Sequence, residues 1–375
     1  MKITQFILTL GIGGAESVVR DYALELKRRG HDVNILILLP YLHNFNEQIL
    51  IKNGISITSI YEEIFLIKKQ NLFLKILRKP FRTYRVKKWM SRYLQHNRVD
   101  VLHLHLSLLH FMPVGSCMQN KTKLFFTCHN ESSYYFSNRH DIEYRSAIKL
   151  IKEDNLQFFV LHSRMAEELN HLFDINTTQV MYNPVDFGKF YNPIYTSGEM
   201  RSILGLAEDD YVIGHVGRFI DQKNHFFLIE IFSEILKHIP NAKLLLVGDG
   251  PLYFEVLKKC EEKDLKNRVI CTGMRSDIPD LLGVMDVFIF PSKFEGLGIV
   301  LLEAQVRVPH IVTSLSVPRD IAITDKVCFV SLDDEVAVWA DAVLHPEKFL
   351  AKAVNKIEDF ELKNVVSRLE YFYEQ

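Results

Sequence analysis

Two successive runs of alternating strand and helix signals, separated by a polar break, constrain this chain more than any other feature of its sequence. In the first half, residues 2–9 and 32–39 are short apolar runs that predict strands. Between them Ala15, Val18, Val19, Tyr22, Ala23 and Leu26 recur at helical spacing, and Gly30 follows as a stop signal. Further strands are predicted at 100–106, 122–128, 157–161 and 178–182. The second half repeats the alternation, with strands predicted at 211–217, 243–248, 268–272, 286–290 and 309–313. A helix at about 224–238 puts Phe227, Leu228, Ile231, Phe232, Ile235 and Leu236 on one side. Strands separated by helix-length segments pair in parallel, with helices covering both faces of the sheet.

The break is Asn183-Pro184-Val185-Asp186 and the polar stretch after it, with Pro193, Ser197 and Gly198. It reads as a domain linker. At 375 residues the chain is comfortable for two domains. Two α/β units of similar size leave a crevice, and ligands of open parallel sheets sit beyond the carboxyl ends of the strands. The glycine-rich loops discussed next all follow predicted strands, which places them there.

Residues 295–303 read Glu-Gly-Leu-Gly-Ile-Val-Leu-Leu-Glu, directly after the apolar run Asp286 to Ser292. The pattern is a strand, a turn and the start of a helix. Gly296 and Gly298 put no side chain between the backbone N–H groups and an approaching phosphate. Glu295 and Glu303 repel a phosphate and suit hydroxyls. The implied ligand carries both a phosphate and a polyol, as a sugar nucleotide does.

Other loops add to this. Gly11-Ile-Gly-Gly-Ala-Glu16 lies between the first strand and first helix, but Glu16 stands where the dinucleotide fingerprint wants glycine. The second strand ends Leu38-Leu39-Pro40, without the acid that would hold a ribose. A nicotinamide enzyme is thereby disfavoured. Gly217-Arg218, with Lys223 five residues on, sets two cations at the start of a helix, suited either to a diphosphate or to solvated loop positions. Val247-Gly-Asp-Gly-Pro251 and Thr272-Gly-Met-Arg-Ser-Asp-Ile-Pro279 are tight turns at one sheet edge. They suit a nucleobase or serve as ordinary strand-to-helix turns.

His103 and His105 share one face of a strand, and His129 follows the next. No carboxylate or cysteine spacing supports a metal trio, so no metal is expected. His129 reads as a hydrogen-bond donor to substrate or as a satisfied histidine at a strand end. Five scattered cysteines without a Cys-x-x-Cys pair read as buried thiols in a reducing compartment. A net charge of −1 argues against nucleic acid as partner. Residues 64–99 are a local exception, with eleven Lys or Arg, no acid, and Leu72, Phe73, Ile76, Leu77, Phe81, Tyr84, Trp89 and Met90 interleaved. Such a segment suits an anionic membrane surface, or is a helix packing its apolar stripe on the core. The amino-terminal apolar stretch is broken early by Gly11, so it reads as a strand and not a signal segment, and no run of eighteen apolar residues occurs.

Glu295 to Glu303 with seven residues between, preceded by Phe290-Pro291-Ser292, resembles the Glu-x7-Glu signature of retaining glycosyltransferases of family 4. Gly13-Gly14-Ala15-Glu16, Asn183-Pro184-Val185-Asp186, Gly217-Arg218 with Lys223, and Gly248-Asp249-Gly250-Pro251 fall in that family's order. The resemblance spans nearly the whole chain and is similar to bacterial capsule, exopolysaccharide and lipopolysaccharide assembly enzymes. It implies the α/β GT-B architecture, two Rossmann-like domains with parallel sheets facing an inter-domain cleft. The acceptor-side domain would be residues 1–185, with 360–375 crossing back to it, and the nucleotide-sugar domain 186–359.

By the same resemblance Glu303 binds the ribose and Glu295 the transferred sugar. Arg218 and Lys223 hold the diphosphate, with backbone from Gly296, Leu297 and Gly298 and from Gly13 and Gly14. Gly248 and Arg275 lie by the base, and His129 by the sugar, although Asn130 follows it where many relatives carry an acid. The implied activity moves a hexosyl group from a nucleotide diphosphate sugar to an acceptor hydroxyl with retention. Glu295, His129, Arg218 and Lys223 are its expected catalytic set, and neither cofactor nor metal is expected. From the basic segment at 64–99, a lipid-linked oligosaccharide is the expected acceptor, and the expected location is cytoplasmic, on the inner face of the cell membrane. The competing readings are a sugar-nucleotide epimerase or phosphorylase on the same fold, or a catalytically inactive partner subunit.

Overall fold

The structure is a computed structural model that describes residues 1–11, 13–41, 44–65, 79–136 and 138–375, without the side chains of residues 79 and 80. It divides into two units. The first comprises Met1–Pro184 with Leu362–Gln375, and the second Val185–Glu361. The sequence reading places these boundaries at 185/186 and 359/360. In the structure the two crossing segments run side by side in the second unit, where the Val185 N–H donates to the Phe360 carbonyl at 2.8 Å.

The first unit holds β1 (Lys2–Ile7), β2 (Asp32–Ile37), β3 (Ser56–Ser59), β4 (Val101–His105), β5 (Lys123–Thr127), β6 (Gln157–Val160) and β7 (Gln179–Val180). They form one sheet in the order β3-β2-β1-β4-β5-β6-β7, and every pairing is parallel. The second unit holds β8 (Tyr211–Val216), β9 (Ala242–Val247), β10 (Val269–Cys271), β11 (Val287–Phe290), β12 (His310–Ser314), β13 (Val327–Val330) and β14 (Leu350–Ala351). Its order, β10-β9-β8-β11-β12-β13-β14, repeats the first, except that the short edge strand β14 is antiparallel.

Central parallel strands are buried on both faces, so they are largely apolar, and the polar residues they carry, such as Gln5, His103 and His105, are buried too. The β4 strand is wholly buried, as are Phe288, Ile289 and Phe290 of β11. Each sheet reverses its winding at one place, between β1 and β4 in the first unit and between β8 and β11 in the second. The loops at the carboxyl ends of those strands diverge there and leave the crevice in which α/β sheets take ligands.

Nine of the eleven anticipated strands end one or two residues earlier than apolarity alone predicts, since the chain leaves the ladder while still apolar; β11 ends where predicted and β12 one residue later. The β3 strand was not anticipated, because Ser-Ile-Thr-Ser is short and three of its four residues are polar. The carboxyl-terminal helix Leu362–Glu374 packs Val365, Val366, Leu369 and Tyr373 into the first unit. Glu370 on it pairs with Arg29 at 2.6 Å and with His31 at 2.6 Å. Among the described residues no helix is long and apolar enough to cross a membrane.

Candidate functional site

In the second unit the loop after β8 and the loop after β11 are fastened side by side at the winding reversal. The Lys293 N–H donates to the Gln222 carbonyl at 2.8 Å, and Gln222 Nε2 donates to the Phe294 carbonyl at 2.8 Å. Asp221 pairs with Lys293 at 2.6 Å. Lys223 Nζ pairs with Glu295 Oε1, also at 2.6 Å. Glu295 is buried and Lys223 half-buried, and the ammonium lies 4.6 Å from the centre of the Phe290 ring. The strap thus delivers one cation and one acid to one place, with an aromatic face beneath the cation.

Directly after Glu295 the chain turns through Gly296, Leu297 and Gly298 into the helix Ile299–Arg307. Gly298 sits at φ 80°, in the left-handed region that favours glycine, and no side chain caps the helix. Its first N–H groups are therefore available to an anion. Glu303 lies one turn into this helix, half-buried and engaged with neighbouring groups. Arg218 is exposed and makes no ion pair or side-chain hydrogen bond among the described residues.

Gly248 closes the same rim. Its φ is +137°, and a Cβ there would stand 2.1 Å from the Gly217 carbonyl oxygen. The Gly217 N–H donates to the Val247 carbonyl at 3.0 Å and the Gly248 N–H to the Gly273 carbonyl at 2.9 Å, so the carboxyl ends of β8, β9 and β10 continue as a tight row. Arg275, expected beside a base, has its guanidinium forked onto Asp277 at 2.8 and 2.5 Å.

Beneath the rim lie two buried histidines with incomplete hydrogen bonding. His215 Nδ1 donates to the Ile289 carbonyl at 2.8 Å, and its Nε2 has no partner. Neither nitrogen of His225 has one, and its ring stacks on Phe219 with centroids 4.1 Å apart. Burial holds both neutral, pushing His215 down to about 4 and His225 down to about 2.

In the first unit Gly13 precedes the helix Gly14–Arg28 in extended backbone. A Cβ on Gly13 would lie 2.4 Å from a carboxylate oxygen of Glu16. The acid therefore folds over the backbone at the helix amino end, which makes this turn better suited to hydroxyls than to a bare phosphate. His129, at the end of β5, is buried, and His105 Nδ1 lies 2.8 Å from its Nε2. His103 belongs to the same buried network through Tyr373 and Thr127. Burial pushes His129 down to about 3. The three histidines thus bind one another and Gln5, Thr127 and Tyr373. Among the described residues no group of three or more metal-ligating side chains is placed to hold an ion.

Of the basic segment, residues 66–78 lie outside the described residues, and with them Lys68, Lys69, Lys75 and Arg78. The helix Lys79–Asn97 buries Val86, Met90 and Leu94 at four-residue spacing and exposes Phe81, Tyr84, Arg85, Lys88 and Arg92 on another face. Lys87 turns partly inward, and burial pushes its ammonium pKa down.

Two family models match this chain. The glycosyltransferase family 4 model covers residues 12–189, and the glycosyl transferases group 1 model covers residues 197–358. The chain belongs to glycosyltransferase family 4. Among its relatives, the glycosyltransferase EpsF of Bacillus subtilis, described as putative, is 29% identical over 235 residues, 62% of this chain and 59% of that protein. The UDP-Gal:alpha-D-GlcNAc-diphosphoundecaprenol alpha-1,3-galactosyltransferase of Escherichia coli is 36% identical over 142 residues, 36% of each chain. These matches span less than two thirds of either relative. Anabaena Alr3699/HepE, solved in complex with UDP, shares the fold over 100% of both chains, with a TM-score of 0.76 at 17% identity. The GT-B architecture expected from the sequence is therefore the one present.

Sequence reasoning about this chain missed Asp221, Gln222 and Lys293, which make the strap, and Gln5 and Tyr373, which hold the histidines. A glutamine inside the apolar run Ile3 to Leu8 was the available signal, since a buried amide demands partners. The strap had no local signal, because its halves are 72 residues apart.

Proposed function

We propose that this chain moves a hexosyl group from a nucleotide diphosphate sugar to an acceptor hydroxyl, with retention of anomeric configuration, in the assembly of a surface polysaccharide or glycolipid. The observation that carries the reading is the contact of Lys223 with Glu295 at the carboxyl ends of β8 and β11, ahead of an uncapped helix start. An arrangement of cation, free amides and acid suits a ligand that is anionic at one end and polyhydroxylic at the other.

In this reading Arg218, Lys223 and the amides of Gly296, Leu297 and Gly298 hold the diphosphate. They stabilise its charge as the bond from the sugar to the phosphate oxygen breaks. Glu295 binds hydroxyls of the transferred sugar, and Glu303 binds the ribose. Gly248, with Arg275 nearby on the same edge, borders the base. In the first unit His129 hydrogen-bonds a sugar hydroxyl, and Gly13 and Gly14 offer backbone groups to substrate. The acceptor oxygen bonds to the anomeric carbon on the face the phosphate leaves, and its proton passes to a phosphate oxygen of the donor. No metal or cofactor enters this scheme.

The acceptor is proposed to be lipid-linked. Support comes from the E. coli relative, named for a diphosphoundecaprenol substrate, and from the face of Phe81, Tyr84, Arg85, Lys88 and Arg92, which pairs two aromatic rings with three cations. Such a face suits the boundary of an anionic bilayer, on the inner side of the cell membrane. Replacing Arg85, Lys88 and Arg92 by Gln should abolish flotation with anionic liposomes; unchanged flotation rejects the surface.

The activity is tested by incubating the full chain with a panel of nucleotide sugars, with and without lipid-linked acceptors, and reading product linkage by NMR. Release of nucleoside diphosphate with an α-linked product from an α-donor is expected. Donor conversion without acceptor would show an epimerase, and dependence on free phosphate a phosphorylase. No turnover with any donor, with no thermal stabilisation either, would leave an inactive subunit.

A further inference from the structure

Lys223 and Glu295 have only each other as charged partners. Among the described residues no second donor meets the Glu295 carboxylate, and no second acceptor meets the Lys223 ammonium. His215 and His225 beneath them are held neutral by burial, so neither offers a substitute charge. The pair is held in place from both sides. Beside it in the chain, Gln222 is bonded to the backbone of Lys293 and Phe294. The lysine stem lies against Gly217, where a Cβ would stand 3.4 Å from Lys223 Cγ. The glutamate stem lies against the glycine turn, where a Cβ on Gly298 would stand 3.7 Å from Glu295 Cγ. Glu295 keeps only 6% of its surface exposed.

We propose that this pair is a competitive lock: Glu295 contends with an incoming diphosphate for Lys223, so the site disfavours a bare nucleoside diphosphate and favours one that carries a sugar. The proposal rests on the assignment of Lys223 to the diphosphate and Glu295 to the sugar made above. A diphosphate alone draws Lys223 away only by leaving Glu295 with no cation in a place poor in water. A buried charge stripped of its partner is costly. A nucleotide sugar replaces both ends at once. Its phosphates take the ammonium, and its sugar hydroxyls donate to the carboxylate that the ammonium has left. The uncapped helix start that offers amides to those phosphates begins four residues after Glu295, so anion and carboxylate meet the same ammonium. Arg218 stands outside the contest, because it is exposed and has no partner to give up.

The lock also works in reverse. Once the sugar has passed to the acceptor, its hydroxyls leave Glu295. The carboxylate then reclaims Lys223, and the spent diphosphate loses a cation. Release of the product is thereby built into the residues that bind the donor.

Isothermal titration of the full chain with inorganic pyrophosphate reads this competition whatever the base of the donor. Lys223→Met should weaken pyrophosphate about tenfold or more, which places the ion at this site. Glu295→Gln and Glu295→Asp should each bind it about tenfold more tightly than wild type, equivalent to about 1.4 kcal/mol. The aspartate keeps the negative charge but falls one methylene short of the ammonium. A gain in both variants therefore separates a freed lysine from a simple loss of repulsion, and two substitutions guard against one that fails to fold. A gain in Glu295→Gln alone, or in neither folded variant, overturns the lock. Uridine, guanosine and adenosine diphosphates are titrated beside their hexose conjugates. For the base that binds, the conjugate should exceed the bare diphosphate about tenfold in wild type and lose that lead in Glu295→Gln; a lead kept in the variant also overturns the lock. Pyrophosphate binding that Lys223→Met leaves unchanged removes Lys223 from the diphosphate instead, and the assignment above then falls together with the lock.

Discussion

Lys223 Nζ and Glu295 Oε1 lie 2.6 Å apart, although 72 residues separate them in the chain. The contact exists because β8 and β11 are neighbours at the winding reversal of the second sheet, and because their following loops are hydrogen-bonded to each other. Each partner is the other's counter-charge at a place where water is scarce.

Removing both partners should therefore cost less than the two single losses added together. Lys223→Met and Glu295→Gln are each expected to lose about 1–3 kcal/mol of stability, less than for a fully buried pair because the lysine retains some solvent. The double variant should recover about 1 kcal/mol of the summed loss. Urea denaturation of the four proteins measures this, and simple additivity would show that the pair is energetically idle. All three variants should lack transferase activity.

Gly248 should tolerate no side chain. With φ at +137° and the Gly217 oxygen 2.1 Å from a new Cβ, Gly248→Ala must push the loops after β8 and β9 apart. A loss of about 2 kcal/mol or more is expected, with a weaker response of the melting temperature to nucleotide. A wild-type melting curve would contradict the close approach.

Acid should weaken the second unit through its histidines. In the unfolded chain a histidine takes up a proton near pH 6.5, whereas folded His215 waits until about 4 and His225 until about 2. Between those values the unfolded state binds more protons, so stability falls as the pH is lowered from about 6.5. His225→Phe keeps the stack on Phe219 and removes two unpartnered nitrogens. It should be more stable than wild type by about 1 kcal/mol at pH 5.5, with a flatter pH dependence. Chemical denaturation across pH 5 to 7.5, on an approximate grid of half units, decides the matter. Equal slopes for the two proteins would rule out the linkage.

Glu303→Gln should act on donor affinity. Replacing a carboxylate by an amide weakens hydrogen bonds to ribose hydroxyls that a charged acceptor strengthens, worth about 1.5–3 kcal/mol. The donor KM should rise about 10- to 100-fold while kcat changes little, a split that steady-state kinetics resolves. A loss confined to kcat would move Glu303 from the ribose to the reacting sugar.

Both α/β units were legible because their signals are local. Apolar runs, the helical face from Ala15 to Leu26, and the polar break at Asn183 to Asp186 are each read within a few residues. The turn and helix carrying Glu295 and Glu303 were legible for the same reason, since nine contiguous residues hold both acids and both glycines. The β3 strand escaped because it is held by its neighbour β2 and not by its own composition. Arg275 was assigned by place alone, and nothing in Thr272 to Pro279 foretold that its guanidinium would close on Asp277.

By itself the sequence determined the two-unit parallel architecture and the small set of loops that face a ligand, because periodicity and glycine placement act over short stretches of chain. Only the structure decided which side chains meet. Lys223 with Glu295 and Gln5 with Tyr373 follow from strand order and helix docking. The Lys223–Glu295 pair and the Gln5–Tyr373 contact are settled by packing between distant segments, whose contact energies no local pattern encodes, whereas Glu16 over Gly13 is a contact within one helix start that its spacing did not reveal.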